Sequence, residues 1–339
     1  MYNDERDVFK ATEKIISSSS MTEQEKINAL KQLQSMKDRK VNLIITGATG
    51  CGKSSTINAL FNCEKAKVGT TANPETMEIE KYELDNMVLW DSPGLGDGKE
   101  ANTKHSKKII DLLHKKDDDG KALIDLVLVI LDGQVRDLGT SFELINQVII
   151  PNLGENASNR ILIAINKCDM AMSGRNWDFD ANKPQDKLSD FLNDKASSVK
   201  KRIKDSTNVD VEVIYYAAGY KEDDDSEQSR PYNLSKLLYY IIQHTPKEKR
   251  LVYVNNISNK TEVWKDSDEL MDYRGEVQKT LWESVVDGVT TGSGVGKAIG
   301  GAIGGPVGSA IGGAIGGAIG GIVEAGKSFF GFVGGLLGF

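Results

Sequence analysis

Residues 41–62 read VNLIITGATGCGKSSTINALFN, and the rest of the chain is organised around them. A β-branched apolar run over residues 41–45 leads into the pattern G-x-x-x-x-G-K-S at residues 47–54, and a helical pattern follows. This order of strand, glycine loop and helix is the context that a phosphate-binding P-loop requires. The glycines let successive backbone N–H groups turn inward and form a concavity for anions at the start of a helix. We therefore predict that the chain binds a nucleoside triphosphate.

The P-loop also predicts which side chains meet the phosphates and the metal. Lys53 should reach the β- and γ-phosphates, and the Ser54 hydroxyl should bind Mg²⁺. The residues predicted to line the nucleotide in this loop are Gly47, Ala48, Thr49, Gly50, Cys51, Gly52, Lys53, Ser54 and Ser55.

A second motif, D-S-P-G, starts at Asp91 directly after an apolar run. A carboxylate at the end of a strand near the P-loop suits the Mg²⁺-linked Asp of P-loop enzymes, and Gly94 lets its N–H approach the γ-phosphate. Thr76, in the preceding polar loop, can complete the Mg²⁺ shell, and Thr70 and Thr71 compete for that role. The predicted catalytic group is Lys53, Thr76, Asp91 and Gly94, and the predicted metal ligands are Ser54, Thr76 and Asp91.

A third motif, N-K-C-D at residues 166–169, follows a buried apolar run and points to guanine. The Asp169 carboxylate can accept hydrogen bonds from N1–H and from the exocyclic amine of guanine, and adenine offers no such pair of donors. Asn166 can meet the base edge or tie loops together, and the Lys167 stem can lie over the ring. Farther along, the backbone N–H of Ala218 is the candidate donor to the guanine carbonyl. The predicted ligands are therefore GTP, GDP and Mg²⁺.

Composition narrows the class of protein. The 339 residues carry a formal net charge of −7, and the calculated pI is near 5.3, so a nucleic-acid partner is not expected. Three cysteines are too few and too scattered for a disulfide framework, which favours a reducing compartment. The charged N-terminus lacks the apolar core of a signal peptide, so we expect a cytoplasmic protein.

Alternating strand and helix patterns predict an α/β fold, with a mostly parallel sheet and helices on both faces. We divide the chain into an N-terminal helical segment (1–37), a nucleotide-binding domain (38–250), a helical connector (251–290) and a glycine-rich apolar tail (291–339). Within the first segment, Thr22 and Glu25 form a capping box.

Three segments outside the nucleotide motifs also carry structural predictions. Ile27, Leu30, Leu33 and Met36 follow a helical spacing and are predicted to form one buried face. Residues 177–185, WDFDANKPQ, are expected to be an irregular insertion, and Asn233 is expected to cap a helix.

The tail differs from the rest of the chain. Residues 298–323 contain no charged side chain, and glycines recur every four residues from Gly300 to Gly320. Small residues at this spacing let apolar helices approach closely inside lipid, and the length suits a membrane span of ~20 residues. This glycine zipper predicts association with a membrane. Apolar self-packing without lipid and a flexible low-complexity tail remain alternatives.

The ordered motifs GATGCGKS, Thr76, DSPG and NKCD resemble those of the translation-factor-class P-loop GTPases over residues 38–250. The likeness is greatest to the Era-like group and its small genomic-island members in bacteria. Residues 77–96 are also similar to immunity-related GTPases, which act at membranes. The resemblance implies GTP binding with Mg²⁺, slow hydrolysis, and homodimers or oligomers that form across the nucleotide face.

Three departures from that resemblance bear on mechanism. Gly50 stands where potassium-activated members have Asn, and Leu95 stands where Ras-like enzymes have a water-positioning Gln. No basic, KH-like segment follows residue 250. The interpretation is a slow GTPase switch at a membrane. The alternatives are a membrane-disrupting or structural effector gated by GTP, and a soluble, ribosome-associated GTPase.

Overall fold

The structure is a computed structural model that describes residues 8–18, 22–62, 67–68, 79–92, 99–219, 230–291, 331 and 333–338. The helices are α1 (Val8–Ser18), α2 (Glu23–Lys37), α3 (Lys53–Leu60), α4 (Lys99–Leu113), α5 (Gly139–Glu143), α6 (Asp186–Thr207), α7 (Leu234–Gln243) and α8 (Tyr273–Thr291). The strands are β1 (Val41–Gly47), β2 (Lys67–Val68), β3 (Glu80–Leu84), β4 (Met87–Asp91), β5 (Leu126–Asp132), β6 (Ile161–Asn166), β7 (Trp177–Asp178), β8 (Lys183–Pro184) and β9 (Glu212–Tyr215). A π-helical turn (Leu144–Ile149) continues α5, and shorter 3₁₀ segments include Lys247–Asn255 and Thr261–Trp264.

Seven strands form one sheet in the order β2-β3-β4-β1-β5-β6-β9. Within this order, β4, β1, β5, β6 and β9 pair in parallel. At one edge, β3 pairs antiparallel with both β2 and β4. The central strands β1, β5 and β6 are buried along almost their whole length, because helices cover both faces of the sheet. This confirms the predicted α/β fold with a mostly parallel sheet.

Register places the motifs at one edge of the sheet. Asp91 of β4 pairs with Ile45 of β1, and Asp132 of β5 pairs with Asn166 of β6. Carboxyl ends of parallel strands form the ligand edge of such sheets. The P-loop, Asp91 and the residues after β6 therefore meet there.

Alternate residues of β1 enter two separate cores. Leu43 and Ile45 pack with α2, α3, α7 and α8 on one face of the sheet. Ile44 points to the other face, where α4, the α5 region and α6 cover it. The period of two along a strand produces this division.

The N-terminal helices and α8 belong to the first of these cores. Phe9 of α1, Leu33 of α2 and Leu281 of α8 are all buried in the same cluster as Leu43. The described parts of residues 1–37 and 251–290 therefore pack as one body with the sheet. The proposed four-part division of the chain stays a prediction.

The C-terminal end of the chain returns to this core. Val333 and Leu337 are fully buried in it, and the Arg274 guanidinium of α8 donates to the carbonyl oxygens of Leu337 (3.3 Å) and Gly338 (3.0 Å). These two side chains thus fill protein interior. The glycine-zipper residues 298–323 lie outside the described residues. Among the helices that the structure describes, none combines the length and hydropathy that crossing a bilayer requires.

The predicted buried face of α2 is partly wrong. The Thr22–Glu25 capping box is present, but Ile27 is 45% exposed, and Ala29 is buried in its place beside Leu33. The buried stripe thus passes through Ala29, Leu33 and Met36, at a spacing of four and three residues. A small residue at position 29 suits close approach of a neighbouring helix.

Two further local predictions were wrong. Residues 177–185 contain the hairpin β7–β8, in which Trp177 pairs with Pro184. Asn233 precedes α7, but its side chain makes no capping hydrogen bond. Its amide instead donates to the carbonyl oxygen of Tyr215 (3.1 Å) and accepts from the N–H of Asp268 (2.8 Å). Tertiary partners have replaced the cap.

A buried ion pair beneath the sheet gives a stability prediction. Lys249 Nζ lies 2.8 Å from Asp125 Oδ1, and Asp125 Oδ2 accepts from the N–H of Asn42 (2.9 Å). Lys249→Met should lower the free energy of unfolding by about 3 kcal/mol, because it leaves a buried carboxylate without its cation. Urea unfolding measures this loss.

Two controls distinguish the loss of this buried ion pair from the general effect of replacing a lysine by methionine. Lys247→Met breaks an exposed pair with Asp287 and should cost less than about 0.5 kcal/mol. In an Asp125→Asn background, Lys249→Met should cost less than about 1 kcal/mol, because it removes a buried cation that has already lost its counter-charge. Equal losses in both backgrounds would contradict the argument.

Candidate functional site

The P-loop joins β1 to α3. Gly52 occupies the cap position of α3 in a left-handed conformation (φ +94°), and its carbonyl oxygen accepts from the N–H (3.0 Å) and the hydroxyl (2.8 Å) of Thr56. The Lys53 ammonium lies at the carbonyl oxygens of Gly47 (3.4 Å) and Ala48 (3.3 Å). Ser54 is exposed on the first turn of α3. The loop thus combines a helix N-terminus, a cation and an exposed hydroxyl, which suits bound phosphate and metal.

Two glycines in the loop are required by their neighbours. A Cβ on Gly47 would collide with the carbonyl oxygen of Ile130, and one on Gly52 would collide with the Asn166 side chain. Gly52 also has a φ that L side chains rarely adopt. The glycine pattern therefore reflects close packing of the P-loop against β5 and against the end of β6.

Asp91 is the last residue of β4 and is 9% exposed. Its Oδ1 atom is buried and has no hydrogen-bond partner among the described residues. Burial raises the pKa of Asp91 to about 6, and the nearby Lys53 ammonium opposes that rise. A buried carboxylate oxygen without a donor is expensive unless a ligand completes it.

This donor set fits Mg²⁺. The unsatisfied oxygen of Asp91 and the exposed hydroxyl of Ser54 are hard oxygen ligands of the kind that Mg²⁺ prefers, and phosphate and water would supply the rest. Mg²⁺ bound there would neutralise charge on the phosphates. Thr76, its competitors Thr70 and Thr71, and Gly94 lie outside the described residues, so their roles stay predictions.

The pKa of Asp91 predicts how Mg²⁺ binding depends on pH. Mg²⁺ binds the carboxylate, so below pH 6 protons compete with it. The apparent dissociation constant for Mg²⁺ should rise about tenfold between pH 7 and pH 5. Magnesium titrations of the GDP complex, followed with a fluorescent nucleotide, measure this change.

Asp91→Asn is the control, because the pH dependence that remains in it belongs to the nucleotide phosphates. An identical pH profile in the variant would contradict the assignment. In the nucleotide-free protein the same raised pKa means that the fold binds this proton more tightly than the unfolded chain does. Its contribution to stability therefore falls as pH rises from about 4 to about 6.

Asn166 connects the loops around the predicted base site. It is 2% exposed, its amide donates to the carbonyl oxygen of Cys51 (3.0 Å), and its Oδ1 accepts from the N–H of Ala218 (3.0 Å). Of the two roles considered for Asn166, the structure shows the one that ties loops together. In the same structure the Ala218 N–H donates to Asn166, and its predicted bond to the guanine carbonyl stays a prediction.

Lys167 and Asp169 flank the base site. Lys167 adopts a left-handed backbone (φ +58°), and its ammonium donates to the carbonyl oxygen of Gly50 (2.6 Å) and to Asp132 Oδ2 (2.6 Å). The Lys167 stem therefore spans from β6 to the P-loop. Asp169 is partly buried; burial raises its pKa, while its own N–H, the N–H of Met170 and Lys167 oppose the rise. A carboxylate in this position suits a ligand that supplies N–H donors.

Sequence reasoning missed three residues in this region. Asp132 ends an apolar strand as Asp91 does, so the same signal was available for it. Tyr216 is fully buried, and its hydroxyl lies 2.6 Å from Thr56 Oγ1. Because the Thr56 hydroxyl donates to Gly52, Tyr216 is the donor, and it links β9 to the P-loop helix. Lys195 of α6 also reaches the site, and an amphipathic pattern cannot single out one lysine on a polar face.

Part of the chain is similar to known proteins. The family model described as 50S ribosome-binding GTPase matches residues 42–167. A probable GTP-binding protein EngB from Malacoplasma penetrans is 30% identical over 135 residues, which are 39% of this chain and 66% of that protein. Interferon-inducible GTPase 1 from Mus musculus is 40% identical over 75 residues, which are 20% of this chain and 17% of that protein.

One solved structure is similar over part of its length. LeoA, a bacterial dynamin GTPase from ETEC, is 13% identical, matches 85% of this chain and 45% of its own, and has a TM-score of 0.40. The chain spans less than two thirds of the length of each of these proteins. The matched residues form a P-loop GTPase domain, the kind of domain that binds GTP and GDP with Mg²⁺ and hydrolyses GTP.

Proposed function

We propose, from the premise that residues 42–167 are a P-loop GTPase domain, that the whole chain is a slow GTPase that works as a nucleotide switch at a membrane. The observation that carries the switch is the contact between the two halves of the site. Asn166 and Lys167 both bond P-loop carbonyl oxygens, those of Cys51 and Gly50. A nucleotide bound there would touch one connected unit, so phosphate and base contacts reinforce each other.

Slow hydrolysis is supported by two residues of the phosphate-binding motifs. Leu95 cannot orient a water molecule, and Gly50 lacks the side chain that potassium-activated enzymes use. Single-turnover hydrolysis by the full-length protein measures the rate. A rate above about 1 s⁻¹, within the ordinary range of enzymes, would exclude a slow switch.

Membrane action is supported by residues 298–323, with their glycine spacing and lack of charge. The test is liposome flotation of the full chain and of a variant without residues 298–323, each with GDP and with a non-hydrolysable GTP analogue. This internal deletion keeps Val333 and Leu337, which fill the core, whereas a truncation at 290 would remove them.

Flotation of the full chain alone would support the proposal, and a nucleotide dependence would make membrane binding the output of the switch. Failure of both proteins to float would exclude it. Nucleotide-dependent release of a trapped dye would instead favour a membrane-disrupting effector gated by GTP.

A ribosome-associated GTPase is the second candidate, and the description of the matched family favours it. This candidate is the soluble, Era-like alternative. It predicts that the protein sediments with ribosomal particles whether or not residues 298–323 are present. The net charge of −7 counts against direct contact with RNA.

The proposal also includes a cytoplasmic location and a homodimer or higher oligomer that forms across the nucleotide face. Light scattering of the full chain with GDP, and with GDP plus aluminium fluoride, tests that state. A monomer under both conditions would exclude it.

A further inference from the structure

The loop after β5 is fixed by Asp132, the last residue of that strand. Asp132 Oδ1 accepts from the N–H of Gln134 (2.8 Å), which forms a tight turn. Asp132 Oδ2 accepts from the Lys167 ammonium at 2.6 Å. The same carboxylate therefore shapes this loop and holds the lysine of the N-K-C-D motif.

Backbone contacts press the loop against that motif. The N–H of Gly133 donates to the carbonyl oxygen of Asn166 (2.7 Å). A Cβ on Gly133 would stand 2.7 Å from that oxygen and 2.9 Å from the carbonyl oxygen of Lys167. There is no space between the loop and the motif, so a shift of one must displace the other.

Lys195 holds the other side of the loop. Its ammonium, carried by α6, donates to the carbonyl oxygens of Gly133 (2.7 Å) and Val135 (2.8 Å) and lies 3.4 Å from that of Asp132. Among the described residues it forms no ion pair. Burial lowers the pKa of Lys195, and the Asp132 charge opposes that change. Partial burial of a cation that only backbone carbonyl oxygens satisfy is unfavourable to the free energy of folding. All three carbonyl partners belong to residues 132–135.

We propose that Asp132 and Lys195 are positioning residues of the guanine site. Lys195 holds the loop after β5, the loop holds Asp132, and Asp132 holds Lys167 against the P-loop carbonyl oxygen of Gly50. The order of the N-K-C-D motif, and with it the placement of Asp169 for the base, depends on this chain of contacts. The inference rests on the proposed binding of guanine nucleotides.

Removal of either residue should therefore affect the base more than the fold. Asp132→Asn keeps the shape of the side chain but removes the charge that holds Lys167. Lys195→Met keeps the apolar stem and removes the ammonium. Each should weaken GDP binding about tenfold, the usual size for one charge-assisted contact. Each should also reduce the preference for GDP over IDP, because IDP lacks the exocyclic amine that Asp169 would bind.

The experiment measures dissociation constants of GDP and IDP for full-length variants, together with melting temperatures without nucleotide. Lys201→Met is the matched control, because Lys201 is an exposed lysine on the same helix. If Asp132 acts through Lys167, Asp132→Asn should have little further effect in a Lys167→Met background. The same near-absence of further effect is expected for Lys195→Met in the Asp132→Asn background.

Additive effects in these double variants would overturn the proposal. So would lower melting temperatures with an unchanged GDP-to-IDP preference, since that result describes stability alone. Failure of the unmodified protein to bind GDP would remove the proposed function itself. Normal GDP binding by the protein and by every variant would remove only this inference.

Discussion

Lys53→Ala should weaken GTP binding at least about a hundredfold and leave no measurable hydrolysis. Lys53 is the first residue of α3, and its ammonium sits on the carbonyl oxygens of Gly47 and Ala48, at the mouth of the loop. No other lysine or arginine lies in this P-loop. The variant therefore loses the one P-loop side-chain cation that would face the β- and γ-phosphates.

The fold should survive this substitution, which makes the loss specific. The two carbonyl contacts of Lys53 are long, at 3.3 and 3.4 Å, and the side chain is only partly buried. We expect the melting temperature of the nucleotide-free protein to change little. Calorimetric titration with GTP, and phosphate release at saturating GTP, measure the effect, with exposed Lys201→Ala as the control. Hydrolysis retained by Lys53→Ala would remove the P-loop assignment.

The sheet and the phosphate side of the site were predictable because local patterns determine them. Apolar runs without alternation indicate strands that helices cover on both faces, and in this chain such strands end at a motif. Asp91 was found because a strand ended on a carboxylate. Once the strands are parallel, their carboxyl ends must lie together, so the motifs meet without any further information.

The part of the site around the predicted base was less predictable, because its geometry depends on contacts between loops that are far apart in sequence. Whether Asn166 meets a base or a backbone carbonyl depends on how near β6 lies to the P-loop. The use of the Ala218 N–H follows from the same distance. Lys195 belongs to a helix far along the chain, and only the packing of α6 on this face of the sheet brings its ammonium to the loop. Patterns of residue type do not contain those distances.

The apolar C-terminal end shows a second limit. Hydropathy treats lipid and protein interior alike, so it cannot assign the apolar residues Val333 and Leu337 to either environment. In the structure both residues fill the core beside α8. The helical face of α2 failed for a related reason: small Ala29 is buried while Ile27 is exposed, because close approach of helices can outweigh the size of an apolar side chain.

Asp169→Asn should change the nucleotide that the site prefers. Guanine offers two donors, N1–H and the exocyclic amine, and a carboxylate accepts both. Asparagine presents one acceptor and one donor, which match the N1–H and the C2 carbonyl of xanthine. A site built to hydrogen-bond a group rejects an analogue that lacks it by about 10⁴-fold, and about a hundredfold is expected here because neighbouring contacts remain.

Competition between GDP and xanthosine diphosphate measures this change, with Asp178→Asn on the nearby hairpin as the control. The partly buried position of Asp169 supports a large effect, because burial already raises the pKa of its carboxyl and bound N–H donors would favour the ionised form. In the variant, guanine would leave an amine facing an amide donor. Unchanged preference for GDP would mean that other residues read the base, and the N-K-C-D motif would then serve only to hold the loops together.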